Sequence, residues 1–409
     1  VSNSLAKDLE IMFENFVEGY DAACVISREA MTSFPDPQTM QRAGDTFYRM
    51  QDYNASVVTG LDVSAATKTD VIQRMVPTTF RSPDNVVFQL DAKELRDPTH
   101  KTRMGSAASL RLAAEIDKNL YSNVASNAGI VIKTTSALAW SDGATAEAIM
   151  LGKGVSAGRD RKLFLNPYDY KDVAKDLGNR AYLGQTNLDA YERSQVPDIA
   201  GFRTFRTDNV SNLTQVGTVS GTTVSGANQA LSPAAMNGNL PQDNRTMVLN
   251  VAGANIANIK AGDCFTCGVN WCHQIDKSDT GQLATFRVVS VAGGGANLTI
   301  TPAMITSGPY QNVNGAAANS APLVFLNTVT KPVNAFWADG SVALDYGRLE
   351  FPKDQGAAVL TANTKNGVPL LMSASFNHLT GISVVRCTTL YATSVLDPEQ
   401  VGIILANQS

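Results

Sequence analysis

The chain has 409 residues, 44% of them hydrophobic and 17% charged, with 31 glycines and a formal net charge of −4. That length exceeds the ~250–300 residues at which one hydrophobic core stops growing, so at least two packed units are expected. The balance excludes disorder, coiled coil and an overall electrostatic pull toward nucleic acid or anionic membrane; apolar runs such as Val401 to Ala406 fall far short of the ~20 residues that cross a bilayer, so the chain reads as soluble.

Leu5, Leu9, Met12, Phe13, Phe16, Val17 and Tyr20 recur at helical spacing, with Asp8, Glu10, Glu14 and Glu18 mostly on other faces. This predicts an amphipathic first helix with an acidic side, ended by Phe34-Pro35-Asp36-Pro37 because neither proline continues a helix. Two β-like runs follow, Thr46–Tyr53 and Asp70–Phe80, separated by Gly60, Asp62 and small polar residues. They predict a long hairpin with little core of its own, an arrangement that is marginal in water unless it lies on something else. Val86, Phe88 and Leu90 alternate as in a half-buried strand. Asp97-Pro98 then supplies an N-cap and a first-turn proline for the clearest helix, where Met104, Ala108, Leu112, Ile116, Leu120 and Val124 form an i,i+4 ladder up to Gly129. Running from Pro98 to about Asn127, it would be roughly 45 Å long and act as a spine.

Two shorter helices are expected: Ala144–Leu151, and one opened by Asn166-Pro167 and closed at Leu177-Gly178, with the buried run Leu163-Phe164-Leu165 between them. From about Thr214 to Val333 the helical period vanishes. Candidate strands Thr246–Val251, Cys264–Gln274, Ala284–Val291, Leu298–Thr301 and Leu323–Val329 alternate with Gly, Asn and Ser turns, which predicts a small all-β barrel. Mixed α/β texture on both sides suggests that this unit is inserted into a parent domain. Pro369–Phe376, Ile382–Ala392 and Val401–Leu405 are β-like.

The usual catalytic signatures are missing, and His100, His273 and His378 are the only histidines, so no enzyme is expected. Gly152, Gly154 and Gly158 approximate a dinucleotide loop with the wrong spacing after a helix, and read as a helix C-terminal turn. Cys264, Cys267, Cys272 and His273 supply four zinc-type ligands by residue type. Adjacent Cys272 and His273 would point to opposite faces of a strand, so buried thiols are the first reading and metal the alternative. An odd count of five cysteines without a secretory leader argues against a disulfide framework and for synthesis in a reducing cytoplasm. The charge-rich Asp91–Arg103 stretch has mixed signs and reads as a solvated or ion-paired helix entrance. The acidic side of the first helix is either solvated or a docking surface for a basic partner segment.

Met40-Gln41-Arg42, Pro83-Asp84-Asn85 with Phe88-Gln89-Leu90, Leu95-Arg96-Asp97, Asn166-Pro167 with Asp169-Tyr170-Lys171, Thr223-Val224-Ser225-Gly226-Ala227, Asn312-Val313-Asn314 and Phe336-Trp337-Ala338-Asp339 occur in an order that resembles the coat proteins of short-tailed double-stranded DNA phages of the P22 type. The resemblance runs from Met40 to Pro398-Glu399. It implies an α+β chain with a Hong Kong 97-like phage capsid fold: N-terminal arm (1–39), extended β-hairpin loop (40–82), peripheral domain with the spine helix (83–135), axial domain first part (136–213), inserted β-barrel domain (214–333), then axial domain second part and C-terminal peripheral strands (334–409). The implied function is a major capsid protein that self-assembles with a scaffolding protein into an icosahedral shell of pentamers and hexamers. That shell would carry a portal protein and enclose double-stranded DNA without sequence specificity, be built in the bacterial host cytoplasm, and need neither cofactor nor membrane.

The resemblance also implies residue roles. Glu14, by its distance from Met40, and Glu18 on the same acidic side are the scaffold-binding candidates. Asp243 and Arg245 are inter-subunit candidates in a loop, Asn237–Arg245, that is shorter and less acidic than the family's. Along the ribbon, Arg49, Asp52, Asp62, Lys68 and Arg74 are candidate rim contacts, each worth ~0.2–1 kcal/mol if exposed. The cysteine cluster has no family counterpart, which favours core packing. A phage decoration or tail protein, or another β-barrel binding module, is the alternative function.

Overall fold

Local signals fix two helices directly. Asp97 Oδ1 accepts the Thr99 N–H at 2.9 Å, and the spine helix runs Pro98–Asn127. Asn166 accepts the N–H groups of Tyr168 and Asp169, both at 3.0 Å, and a second helix runs Pro167–Gly178. The computed structural model describes residues 4–35, 46–55, 57–62, 64, 72–91, 94, 97–179, 196–208, 211–352 and 357–409. Four α-helices and several β-sheets among them divide between two units.

The first unit comprises Val1–Phe47, Thr78–Tyr121 and Ala343–Ser394. The first helix, Ser4–Ala23, buries Met12, Phe13, Phe16 and Tyr20, while the spine helix buries Ala108, Leu112, Ile116 and Leu120. Glycine permits close packing of these helices: a Cβ on Gly105 would lie 2.5 Å from the Met12 carbonyl oxygen. The first helix ends well before the Phe34-Pro35 stop that the sequence suggests. Its end is tertiary: the buried Asp117 of the spine accepts the backbone N–H groups of Val25 and Ile26 at 2.9 and 3.0 Å and that of Ser27 at 2.8 Å. The chain then forms a short strand, Met31–Ser33, on one edge of a sheet ordered Met31–Ser33, Val342–Gly347, Ile382–Val395, Pro369–Asn377, Ala357–Asn363. Asp84–Asp91 also pairs with Ile382–Val395, antiparallel, with Val86 opposite Cys387.

The second unit comprises Tyr48–Pro77, Ser122–Val342 and Val395–Ser409. A five-stranded sheet has the order Ile130–Lys133, Val401–Leu405, Asn334–Ala338, Arg161–Leu165, Phe202–Arg206. Every residue of its three middle strands is buried, as expected for strands covered on both faces. Ile132, Leu163, Phe202, Phe336 and Ile404 pack there with Ala146 and Met150 of the helix Trp140–Gly152 and Val173 and Leu177 of Pro167–Gly178. A buried triad fixes the entry to the last helix, since Asp169 Oδ2 accepts from both Asn166 Nδ2 and Asn334 Nδ2 at 2.6 Å.

Within the same unit a six-stranded antiparallel sheet runs Val324–Phe325, Cys264–Cys272, Asp279–Ala292, Asn297–Thr301, Met247–Ala254, Ser220–Val224. It closes on itself, because the Leu323 N–H donates to the Thr222 oxygen at 2.9 Å and Thr223 is bridged to Pro322. Leu249, Phe265, Trp271, Phe286, Leu298 and Ile300 fill the interior.

The long ribbon pairs over Thr46–Met50 and Met75–Thr79, so the strands are shorter than the β-like runs in the sequence. Pairing follows burial: Phe47, Val76 and Phe80 are buried, whereas residues 52–55 and 57–62 are exposed.

Candidate functional site

A helix with one buried stripe leaves its other side free. On the first helix Glu14 and Glu18, one turn apart, are both exposed. They border a cleft of about 390 Å³ with Phe13, Val17 and Asp21 on one side and Ala362, Asn363 and Lys365 on the other. Asp21 Oδ2 accepts the Asn366 N–H at 3.2 Å, tying the helix to the turn that forms the far wall. The structure thus sets two carboxylates beside a small apolar floor.

Of the ribbon residues singled out by sequence, Arg49, Asp52, Asp62 and Arg74 all have partners within the chain. Asp52 Oδ2 lies 3.3 Å from Arg159 Nη2 but stays 89% exposed, and the Arg74 guanidinium sits 4.0 Å above the Tyr310 ring. Arg49 is half-buried. Asp62 Oδ1 accepts the Ser64 N–H at 2.9 Å, and its hydrogen bonds to Ser64 hold its carboxyl below the ordinary range. Lys68 lies outside the described residues. Sequence reasoning picked charges here and passed over Val57, Val58 and Leu61, which stand fully or half exposed near the Gly60 turn. Their signal was present: an apolar cluster around a turn glycine, where polar residues are usual.

Asp243 and Arg245 pair with each other. Arg245 Nε and Nη2 reach Asp243 at 2.9 and 2.7 Å, and Nη1 donates to the Val395 carbonyl at 2.6 Å. A planar fork on a carboxylate is the geometry guanidinium favours. The pair lies just after a tiny hairpin, Met236–Asn237 with Leu240–Pro241, on which Met236 and Leu240 are exposed.

The sulfur cluster does not converge. Cys264, Cys267 and Cys272 are buried free thiols on one strand; Gly268, at φ +74°, breaks its alternation. Burial pushes the Cys267 thiol up to about 12 and raises Cys264 and Cys272. His273 Nδ1 faces Asp276 at 2.9 Å instead of a sulfur. Among the described residues no group of three or more His, Cys, Asp or Glu side chains could hold a metal ion. No helix there is long and apolar enough to cross a membrane.

Among the described residues the surfaces therefore offer exposed apolar tips, an acidic cleft and intrachain ion pairs, with no convergent catalytic set. Compared with known families, residues 2–406 match the model described as P22 coat protein, gene protein 5. The chain belongs to the P22 coat protein family. Members of the P22 coat protein family are structural, so this chain is a bacteriophage major capsid protein of α+β fold, a subunit of an icosahedral shell and not an enzyme. Similar solved structures include the asymmetric unit of the bacteriophage PhiM1 mature capsid, 7% identical with a TM-score of 0.47 over 94% of this chain and 87% of that one. A structure from Mycobacterium phage Che8 is 10% identical with a TM-score of 0.44 over 94% and 92%. The CUS-3 coat protein I-domain is 36% identical with a TM-score of 0.22 over 27% of this chain and 99% of that one. For a P22-family coat protein the working surfaces include those that meet other copies.

Proposed function

We propose that the chain assembles on a scaffolding protein, in the bacterial host cytoplasm, into a closed shell of pentamers and hexamers that carries a portal protein and receives double-stranded DNA. The long ribbon carries this reading. Val57 and Leu61 stand 88% and 108% exposed, beyond a base fastened through Gln51 and Arg74. A lone molecule gains nothing by holding apolar side chains in water, whereas an adjacent copy can cover them. One heterologous contact repeated around an axis closes a ring, and each later contact in that ring is effectively intramolecular.

On this reading residues 1–39 are an arm, 40–82 the extended loop, 83–135 the peripheral domain, 136–213 and 334–409 the axial domain with its C-terminal peripheral strands, and 214–333 an inserted barrel. Arg49, Asp52, Asp62, Lys68 and Arg74 line the rim of the ribbon contact. The Asp243–Arg245 fork holds the 236–241 hairpin so that Met236 and Leu240 meet a neighbouring capsomer. Glu14 and Glu18, beside their apolar cleft, receive a basic amphipathic segment of the scaffold. The net charge of −4 suits a container whose cargo must leave, since a strongly basic wall would hold duplex DNA by counterion release.

Negative-stain microscopy of the chain co-expressed with its scaffolding partner tests the proposal. Closed shells are expected; monomers or small discrete oligomers would point instead to a decoration or tail protein.

A further inference from the structure

Three Asn-Gly pairs occur in the chain, at 237–238, 314–315 and 366–367. In such a pair the asparagine side-chain amide is open to attack by the next backbone nitrogen, because glycine has no Cβ to block the approach. Whether the attack happens then depends on what the fold does with the amide and with that nitrogen, and the three pairs are held differently.

At Asn314 the amide is fixed on both sides. Its Nδ2 donates to Asp279 Oδ2 at 2.9 Å and its Oδ1 accepts the Asn270 N–H at 3.1 Å, so turning Cγ toward the Gly315 nitrogen would break both bonds. At Asn366 the nucleophile is occupied instead: the Gly367 N–H donates to the Thr364 carbonyl at 2.9 Å, and the Phe34 ring lies 3.2 Å from where a Cβ on Gly367 would stand. Asn237 has neither restraint. It sits at the turn end of the hairpin Met236–Asn237 with Leu240–Pro241, paired with Leu240, and Asn237, Gly238 and Asn239 are all exposed. Among the described residues no hydrogen bond engages the Asn237 side chain or the Gly238 N–H. Gly238 has φ +62° and nothing within 4 Å of the place a Cβ would take, so no contact restrains the turn.

We propose that Asn237–Gly238 is a self-modifying site, at which the free subunit converts a neutral amide into a carboxylate. The Gly238 nitrogen gives its proton to water or hydroxide and its electron pair attacks Asn237 Cγ. The new C–N bond closes a five-membered imide, the Cγ–Nδ2 bond breaks, and the amide nitrogen leaves as ammonia after taking a proton from water. A second water opens the ring at either carbonyl, leaving aspartate or isoaspartate at position 237. Water is the only co-reactant, and nothing is oxidised or reduced. The consequence for assembly rests on the reading of this hairpin as a contact between capsomers. A fresh subunit offers a neutral tip between the exposed Met236 and Leu240; an aged one offers a charge, which is costly to cover without a partner.

Peptide mass mapping of the purified full chain, kept folded in mildly alkaline buffer, tests the modification. The peptide holding Asn237 should gain about 1 Da and split into two products, several-fold faster than the peptides holding Asn314 and Asn366. In guanidinium, where the fold no longer separates them, the three rates should draw together. Asn237→Gln, whose ring closure would have to be six-membered, should stay unmodified at that position. Equal rates in the folded chain, faster conversion at Asn314 or Asn366, or a gap just as wide in guanidinium would overturn the proposal. For the consequence, Asn237→Asp co-expressed with the scaffolding partner should yield fewer closed shells than Asn237→Gln. Equal yields would refute the effect on assembly, while failure of the parent chain to form shells would count against the capsomer reading and leave the masses to decide the modification.

Discussion

Asp117 shows how much one carboxylate can organise. Three consecutive backbone donors, on Val25, Ile26 and Ser27, converge on its two oxygens in a buried setting. Losing the acceptor strands those donors away from water, and unsatisfied buried groups cost more than a made hydrogen bond returns. Asp117→Ala is therefore expected to lower unfolding stability by about 2–4 kcal/mol and to speed protease cleavage within residues 24–35. An unchanged urea midpoint together with unchanged cleavage would show that the turn holds without it. The Asp243–Arg245 fork is a weaker case: both groups keep some contact with solvent, where ion pairs contribute little to stability.

At the level of helices, strands and loops, each segment's function follows from what it leaves uncovered. Replacing Val57 and Leu61 together by Ser should leave the monomer's stability within about 0.5 kcal/mol, because both already sit in water, yet sharply reduce the yield of shells. Normal shell yield from that double variant would remove the ribbon tip from assembly. The barrel has a structural task besides: Thr285 Oγ1 donates to the Gly129 carbonyl at 2.7 Å and accepts the Val131 N–H at 3.0 Å, pinning the start of the edge strand Ile130–Lys133. Deleting residues 214–333 with a short linker should cripple folding of the monomer; a deletion variant with native circular dichroism and a cooperative melt would refute that role.

These segments also show what a sequence can disclose. The helices at Pro98 and Pro167 were legible because cap, proline and apolar ladder are all local. The end of the first helix was not, since its stop lies on Asp117 of another helix. Met31–Ser33 and Val342–Gly347 escaped notice for the same reason: their pairing partners are far away in the chain, and three to six residues carry too little periodicity. The acidic pair Glu14 and Glu18 was visible by spacing, but the cleft beside them needed Ala362, Asn363 and Lys365, which no local pattern connects to the helix.

Taken as one subunit, the molecule combines well-filled cores with margins that stay open. Leu249, Phe286 and Ile300 in the barrel and Phe164, Trp337 and Ile403 in the five-stranded sheet are almost wholly buried, so folding does not wait on neighbours for its interior. Exposed Leu240, Leu61 and Leu379 mark projecting turns at three separate places in the chain. Modest contacts spread over several such places suit a container that must form accurately, because a wrong contact can dissociate before a ring locks it in.

The order of strands in the five-stranded sheet adds a constraint in time. Val401–Leu405 lies between Ile130–Lys133 and Asn334–Ala338, so each of these two lacks its hydrogen-bonding partner on that side until Val401–Leu405 has been made. Until then those strand edges stay unpaired, and an unpaired edge is a template for pairing with another chain. A chain terminated after Gln400 should accumulate as aggregate; recovery of a soluble, protease-resistant product would show that the sheet closes without its middle strand.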